Sequence, residues 1–281
     1  MTTSANPIVR QAASGQIPLG MQCFTGDPAL VEVLGLTGFD FVMLDSEHCG
    51  IDPRGVEPLI RAADGVGLTS FVRVPTFDDE VSIHRALEAG AAGVFVPMVR
   101  NAADVQVALD AAYFPPLGQR GICPATRQAR YSFRDFVETA ERNNATNIVI
   151  PLIEHPDAVE NIDEICAMPD VHMVTFGQGD YAYAIGEGTL MMKSPKVQAA
   201  QRRVVEAAKR HGVLVIGGPV LEPSVDACRA AIDAGVDVFC LGLDIMAFRR
   251  VAEQTVNLVH EAVQGTEFSR AEPPMSGFPG H

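Results

Sequence analysis

The chain predicts a single-domain α/β fold of the (β/α)8 TIM barrel class, and three observations predict it. Short apolar runs alternate with amphipathic stretches of helical period along most of the 281 residues. Eight strand–helix units fit a chain of this length. Glycine-led segments recur where a helix would hand over to a strand: Gly38-Phe39-Asp40-Phe41-Val42, Gly90-Ala91-Ala92-Gly93-Val94 and Gly235-Val236-Asp237-Val238-Phe239. Glycine suits the left-handed turn after a helix, so this weak repeat reports loop chemistry and not catalysis. The competing fold, a doubly wound open sheet, wants a Gly-rich dinucleotide loop after an early strand. Met21 to Pro28 offers only Gly26.

Taken in order, strands are expected near 18–24, 39–45, 69–74, 93–97, 147–154, 172–177, 213–217 and 237–242, each a nearly continuous apolar run suited to a buried parallel strand. Helices are expected near 28–37, 53–66, 78–90, 102–112, 156–167, 195–211 and 223–234, with a last one near 244–264. In that last helix Ile245, Phe248, Val251, Val256, Val259 and Val263 form a stripe at helical spacing, which reads as a core or partner-helix contact. Residues 113–146 form a long connection containing Tyr113-Phe114-Pro115-Pro116-Leu117-Gly118-Gln119-Arg120-Gly121. Connections of that length in a compact domain serve function or an interface. The barrel domain is taken as 1–264, and the Pro-, Gly- and Ser-rich residues 265–281 as a mobile tail.

A formal net charge of −14, with no Lys/Arg-rich run, argues against nucleic acid or an acidic membrane surface as a partner. The six cysteines are scattered, with no C-x-x-C pair and no zinc or disulfide spacing. Met1 to Gln16 contains no apolar signal segment, and no stretch approaches a membrane span. A cytoplasmic enzyme is the expectation.

The chemistry is concentrated where the apolar runs stop. Val42-Met43-Leu44 ends in Asp45-Ser46-Glu47-His48, Phe71-Val72 in Arg73, Val149-Ile150-Pro151-Leu152-Ile153 in Glu154, and Met173-Val174-Thr175-Phe176 in Gly177-Gln178-Gly179-Asp180. Packing alone does not ask for charge there, and in a barrel the C-terminal strand ends build the active site. Glu154 and Asp180 are the candidate metal ligands, since two carboxylates without His or Cys suit a hard divalent cation that keeps several waters. The competing explanation is that each caps the helix that follows, which fits Asp180 better than Glu154. Arg73 must be paired to be tolerated at its position, either in a structural ion pair with Asp45 or Glu47 or as the group that holds a carboxylate or enolate oxygen. His48 is a candidate general acid/base, with Asp45 fixing its tautomer, against the alternative of a structural histidine. The two glycines before Asp180 leave N–H groups that can hold a small carboxylate. Gly217-Gly218 and Gly242 fit a barrel phosphate site less well than they fit tight packing. Cys49, adjacent to His48, faces away from it on extended backbone, so a thiol mechanism is disfavoured.

Together these residues resemble the HpcH/HpaI aldolase/citrate lyase family, in its 4-hydroxy-2-oxoheptanedioate aldolase branch. The resemblance runs from about Gly20 to the last helix. It rests on Leu44-Asp45-Ser46-Glu47-His48, Val72-Arg73-Val74, Leu87-Glu88-Ala89-Gly90, Val96-Pro97-Met98-Val99, Phe114-Pro115-Pro116 with Gly118 and Arg120-Gly121, Ile153-Glu154, Gly177-Gln178-Gly179-Asp180, Ile185-Gly186 and Gly242-Leu243-Asp244. It implies a barrel and a class II, metal-dependent pyruvate aldolase acting on a 4-hydroxy-2-oxo acid, with pyruvate and an aldehyde as small-molecule partners. It further implies Mg²⁺, Mn²⁺ or Co²⁺ held at Glu154 and Asp180, the pyruvate carboxylate held by the amides of Gly179 and Asp180, and an enolate stabilised by Arg73. Asp45 and His48 would assist proton transfer. The family also implies a homohexamer in which C-terminal helices are exchanged between subunits.

Enolate chemistry agrees with the residues themselves, because a divalent ion plus Arg73 would hold the one oxygen on which charge develops. No strand-like run ends in a Schiff-base lysine. The chain departs from the family at Gln22, where Trp is typical, at Leu152, often Gln, at Tyr181, usually Leu, and in the loop from Cys123 to Arg130. These changes place the aldehyde side in question, and either Arg127 or Arg130 is expected to meet an acidic distal group. The alternatives are a related metal-enolate reaction (citrate-synthase-like condensation, CoA-ester cleavage or phosphonopyruvate chemistry) and a non-catalytic barrel that binds a 2-oxo acid.

Overall fold

The computed structural model describes residues 4–51, 55–218, 220 and 223–269. In chain order the elements are α1 (Pro7–Ala13), β1 (Leu19–Cys23), α2 (Pro28–Leu36), β2 (Phe41–Asp45), α3 (Val56–Gly65), β3 (Thr69–Arg73), α4 (Glu80–Ala89), β4 (Gly93–Val96), α5 (Ala102–Ala112) and α6 (Phe136–Thr146). There follow β5 (Ile148–Ile153), α7 (Pro156–Glu160), α8 (Ile162–Cys166), β6 (Met173–Phe176), α9 (Gln178–Ala184), α10 (Pro195–His211), β7 (Leu214–Gly217), α11 (Val225–Asp233), β8 (Val238–Leu243) and α12 (Asp244–Val263). All eight strands pair in parallel in sequence order, and β1 pairs with β8 to close the barrel.

Side-chain alternation sorts the strands into two apolar layers. Phe41, Met43, Phe71, Phe95, Ile150, Met173 and Ile216 fill the barrel, whereas Val42, Leu44, Val72, Val94 and Val149 face the helices. The rings of Phe41, Phe71 and Phe95 meet edge-to-face at 5.7 and 5.9 Å. Gly20 makes room for them, since a Cβ there would lie 2.1 Å from the Phe41 ring. Several helices begin with a side-chain cap: Asp27, Asp79, Asn101, Ser194 and Ser224 each accept a first-turn amide. Gly38, Gly90 and Gly235 have φ of 95°, 110° and 90°, the left-handed turn expected of them.

Three helices lie outside the sequence expectation. α1 puts Ile8 and Val9 into the barrel-interior cluster, so the end where the strands begin is plugged. Its buried cap Asn6 accepts from Ile8 N and donates to Ala92 and Thr146 carbonyls. α9 is too brief to show apolar periodicity, and α6 buries the polar Thr139 and Asn143, so it carries no apolar stripe to read. The expected helix at 156–167 is two helices, broken at Asn161. By contact, residues up to Asp244 form one unit; α12 begins the other, and its Ile245, Phe248, Val251 and Val259 are exposed. Most of the expected tail, residues 270–281, and the start of the helix expected at 53–66 lie outside the described residues. Among the described residues no helix is long and apolar enough to cross a membrane.

Candidate active site

Asp45 and Arg73 are the last residues of β2 and β3 and stand opposite each other in the parallel register. Both are buried, and the guanidinium grips the carboxylate through Nε, at 2.7 Å from Asp45 Oδ2, and through Nη2. Arg73 Nη1 also lies 3.2 Å from Glu47 Oε2. The structural pairing proposed for Arg73 therefore exists. It also fixes the guanidinium at the strand-end face, with the Phe24 ring centroid 6.0 Å from its carbon.

The turn after β2 is organised by the other oxygen of Asp45, which accepts the amides of Glu47 (2.9 Å) and His48 (2.8 Å). Asp45 thus holds His48 by its backbone. The carboxylate beside the imidazole is Glu47, with Oε2 3.5 Å from Nε2, and the ring is 54% exposed. The expectation that Asp45 sets the His48 tautomer needs this correction: its side chain is already committed to Arg73 and to two amides. Glu47 was read only as a possible ion-pair partner of Arg73. It makes that pair and also lies beside His48; burial raises its proton affinity, and Arg73 and His48 oppose that rise.

Glu154 follows β5 directly and is 4% exposed. Its Oε1 accepts the amide of Met98 at 2.7 Å. Burial pushes its pKa up to about 7; Asp180 and Glu47 push the same way, and the Met98 amide and Arg73 pull back. Met98 itself is a non-glycine residue at φ 58°, a backbone conformation that persists only where surroundings enforce it. Nothing in Val96-Pro97-Met98 announces this contact, since it is made by backbone.

Gly177 brings α9 against Glu154. A Cβ there would fall 2.6 Å from Glu154 Cβ and 2.8 Å from its Oε2. Asp180 sits in the first turn of α9, whose N-cap is Gly177 without a side-chain cap. The opening amides of this helix, including those of Gly179 and Asp180, have no intrahelical acceptor and precede the carboxylate. Tyr181 packs on Phe176 with centroids 5.2 Å apart.

The site thus gathers Asp45, Glu47, Glu154 and Asp180 around Arg73 as their cation. Among the described residues no three His, Cys, Asp or Glu side chains form a ready cation cage. The donor set nonetheless fits a hard divalent ion. Glu154 is a buried carboxylate held by one amide, with a second carboxylate close enough to raise its proton affinity, and such ions leave several positions to water and substrate.

Other candidates fall outside the site. Cys49 donates its thiol to Asp45 O at 2.6 Å and burial raises its pKa, so it is not a poised thiolate. Gly217 and Gly218 are explained by packing, since a Cβ would lie 2.3 Å from Val236 Cγ2 in one case and from Cys240 O in the other. Arg127 pairs with Asp64 (2.5 Å) and donates to Ala89 O, at the ends of α3 and α4 where strands begin. It cannot meet a substrate at the strand-end site of its own chain, and exposed Arg130 belongs to the same loop. Leu152 is part of the barrel-interior cluster, on β5 and two residues before Glu154. Asp244 is a positioning residue the motif did not explain: its carboxylate accepts the amides of Phe24 (2.9 Å) and Thr25 (3.2 Å) and the Thr25 hydroxyl (2.5 Å), fixing the loop that carries Phe24.

The sequence profile of the HpcH/HpaI aldolase/citrate lyase family matches residues 20–250. A 5-keto-4-deoxy-D-glucarate aldolase of Klebsiella pneumoniae subsp. pneumoniae is 30% identical over 244 residues, covering 86% of this chain and 92% of its own. A hydroxypyruvate/pyruvate aldolase of Paraburkholderia phytofirmans is 30% identical over 267 residues, covering 92% and 99%. A crystal structure of an HpcH/HpaI aldolase/citrate lyase family protein from Burkholderia cenocepacia J2315 superposes with a TM-score of 0.82 at 28% identity, covering 91% of this chain and all of that one. Profile, relatives and barrel agree: the chain belongs to the HpcH/HpaI aldolase/citrate lyase family and is a carbon–carbon lyase.

Proposed function

We propose that the chain is a class II, divalent-metal-dependent pyruvate aldolase that cleaves a 4-hydroxy-2-oxo acid into pyruvate and an aldehyde. The observation that carries this reading is the buried Arg73, fixed by Asp45 and Glu47 beside the buried Glu154. In the cleavage a base takes the proton of the C4 hydroxyl, the C3–C4 bond breaks, the aldehyde departs, and the electron pair passes into the pyruvate enolate. Protonation at C3 completes pyruvate. The charge that must be held appears on the C2 oxygen, and a guanidinium already anchored in a poorly hydrated site needs little reorganisation to hold it.

A divalent ion (Mg²⁺, Mn²⁺ or Co²⁺) at Glu154 and Asp180 would supply Lewis-acid charge to the 2-oxo acid. The first amides of α9, at Gly179 and Asp180, are suited to the substrate carboxylate. His48, exposed at the rim with Glu47 beside its ring, is suited to carry the hydroxyl proton out to solvent. Asp45 holds Arg73 and the His48 backbone in register. The names of the relatives make hydroxypyruvate the second donor to try. The same reading takes the enzyme as a cytoplasmic homo-oligomer, a hexamer with α12 exchanged, in which a neighbouring subunit covers the exposed stripe of α12.

The test follows the methyl protons of pyruvate in D₂O by NMR, with Mn²⁺ or Mg²⁺ and then with EDTA. Exchange that needs metal and disappears in Glu154→Ala and Asp180→Ala is the expected result. Exchange that survives EDTA, or both variants, overturns the proposal.

A further inference from the structure

The segment 113–146 takes no part in the strand-end site. It closes over a small cavity at the other end of the barrel, and Arg120 reaches into it. The side chain is only 2% exposed; the Phe114 ring centroid lies 4.5 Å from the guanidinium carbon, and Nη2 donates to Gln128 Oε1 at 2.7 Å. Nε and Nη1 have no hydrogen-bond partner, and neither has Nδ2 of buried Asn143 on the same cavity wall. Burial draws the Arg120 pKa down to about 10 and Glu88 opposes the fall, so the group remains a cation at neutral pH. Glu88 lines the cavity too, yet among the described residues Arg120 makes no ion pair.

All three orphaned groups are donors, so they ask for an acceptor and reject a cation. Thr139, also on the wall, accepts from Arg142 and keeps its own hydroxyl hydrogen to give. A buried guanidinium without a counter-charge is costly and does not escape by losing its proton. The cavity volume is about 10 Å³, room for one water or one monatomic ion and too little for phosphate or sulfate. A water would bring two hydrogens of its own into a set made mainly of donors, whereas a halide only accepts.

We propose that this cavity is an anion site taking a chloride-sized ion, held by one of the two orphaned Arg120 N–H groups and by Asn143 Nδ2, which neutralises Arg120 and fastens the 113–146 segment to the barrel. It is independent of the pyruvate site. Thermal unfolding in sodium chloride and in sodium gluconate at equal ionic strength tests it, with crystals soaked in bromide alongside. The expected results are a Tm higher in chloride by about 2–4 °C and a bromide anomalous peak beside Arg120 and Asn143. Arg120→Gln could simply unfold the segment, so the decisive variant is Asn143→Asp. It supplies an internal carboxylate and is expected to abolish the chloride increment, while Glu88→Gln, which removes the competing carboxylate, enlarges it. Equal Tm values in the two salts, or water in place of bromide in the cavity, overturn the proposal. So does an increment confined to Glu88→Gln, which would make Glu88 the counter-charge.

Discussion

Where the strands end, Asp45, Glu47, Glu154 and Asp180 gather around Arg73; where they begin, Arg120 is buried against Phe114 and Gln128 with no ion pair among the described residues. One end of the barrel gathers buried carboxylates, and the other buries a guanidinium with two unpartnered nitrogens. The difference lies in what each end is short of. A surplus of buried carboxylate favours a divalent cation, and a lone guanidinium favours an anion. The strand-end groups are also prearranged by backbone and by one another, as catalysis needs. At the opposite end the 113–146 segment is held by backbone bonds such as Gln128 N to Glu88 O, and Arg120 is left with unpartnered donors.

The sharpest way to break this contrast is to remove the cation of the strand-end site. Arg73→Ala is expected to lower kcat for aldol cleavage by about 100–1,000-fold, the loss typical when a transition-state oxygen loses a fixed donor. It also leaves Asp45 buried without its partner, which is expected to destabilise the fold by about 3–5 kcal/mol. Arg73→Lys separates the two effects, because it restores a charge near Asp45 without the planar fork that reaches both Asp45 and Glu47. Recovery of stability in urea titrations without recovery of kcat is expected. Full activity in the lysine variant would reduce Arg73 to a structural ion pair.

A smaller intervention moves a carboxylate without touching Arg73. Gly177→Ala places a Cβ against Glu154 Cβ and Oε2, so the Glu154 side chain or the strand that carries it must shift. Mn²⁺ affinity measured by EPR is expected to fall by about 10–100-fold, with Tm lowered by an overpacking cost of about 1–3 kcal/mol. Unaltered Mn²⁺ binding would remove Glu154 from the ligand set.

How much of this was legible depends on which atoms carry the information. Asp45, Arg73, Glu154 and Asp180 were legible because charge at the end of an apolar run violates the pattern around it. The eight strands were legible for the converse reason, since each obeys the pattern for a whole run. Helices α1 and α9, of seven residues each, carry too few apolar repeats to read. Glu47 was underread because its neighbours Asp45 and His48 offered a complete-looking pair. Arg127 lies away from the strand-end site of its own chain, which sequence could not show, since it gives a loop its charge but not the end of the barrel on which it folds. The resemblance to a known family supplied ligand roles that spacing alone left open.

The pH response of Glu154 sharpens the comparison next. Its carboxyl holds a proton up to about pH 7 in the folded chain, against an ordinary value of 4.5. Between these values the unfolded chain has lost a proton that the folded one retains, so this group makes metal-free stability fall as pH rises through that window. Below 4.5 both states are protonated, and above about 7 both are ionised with the penalty complete. A cation requires the carboxylate, so metal affinity is expected to rise about tenfold per pH unit up to neutrality, with release of one proton. Calorimetry in buffers of different ionisation enthalpy reads that proton directly. In Glu154→Gln the decline of Tm across the window should shrink.

The smallest expected effect concerns a contact with no side chain in it. Met98 holds Glu154 through its amide, from a left-handed conformation that its own Cβ resists. Met98→Gly keeps the amide and relieves that resistance, while glycine costs about 0.5–1 kcal/mol in unfolded-chain entropy. The two terms oppose, so the net stability change is expected to stay within about 1 kcal/mol, and Mn²⁺ affinity should not move. Met98→Val keeps the same amide but puts a β-branched side chain at positive φ, where it is least tolerated. If the backbone is what orients Glu154, the valine variant loses Mn²⁺ affinity and the glycine variant does not. Equal losses in both would make the methionine side chain, 41% exposed at the mouth of the site, the feature that matters. The placement of Glu154 would then depend on a neighbouring side chain and not on backbone.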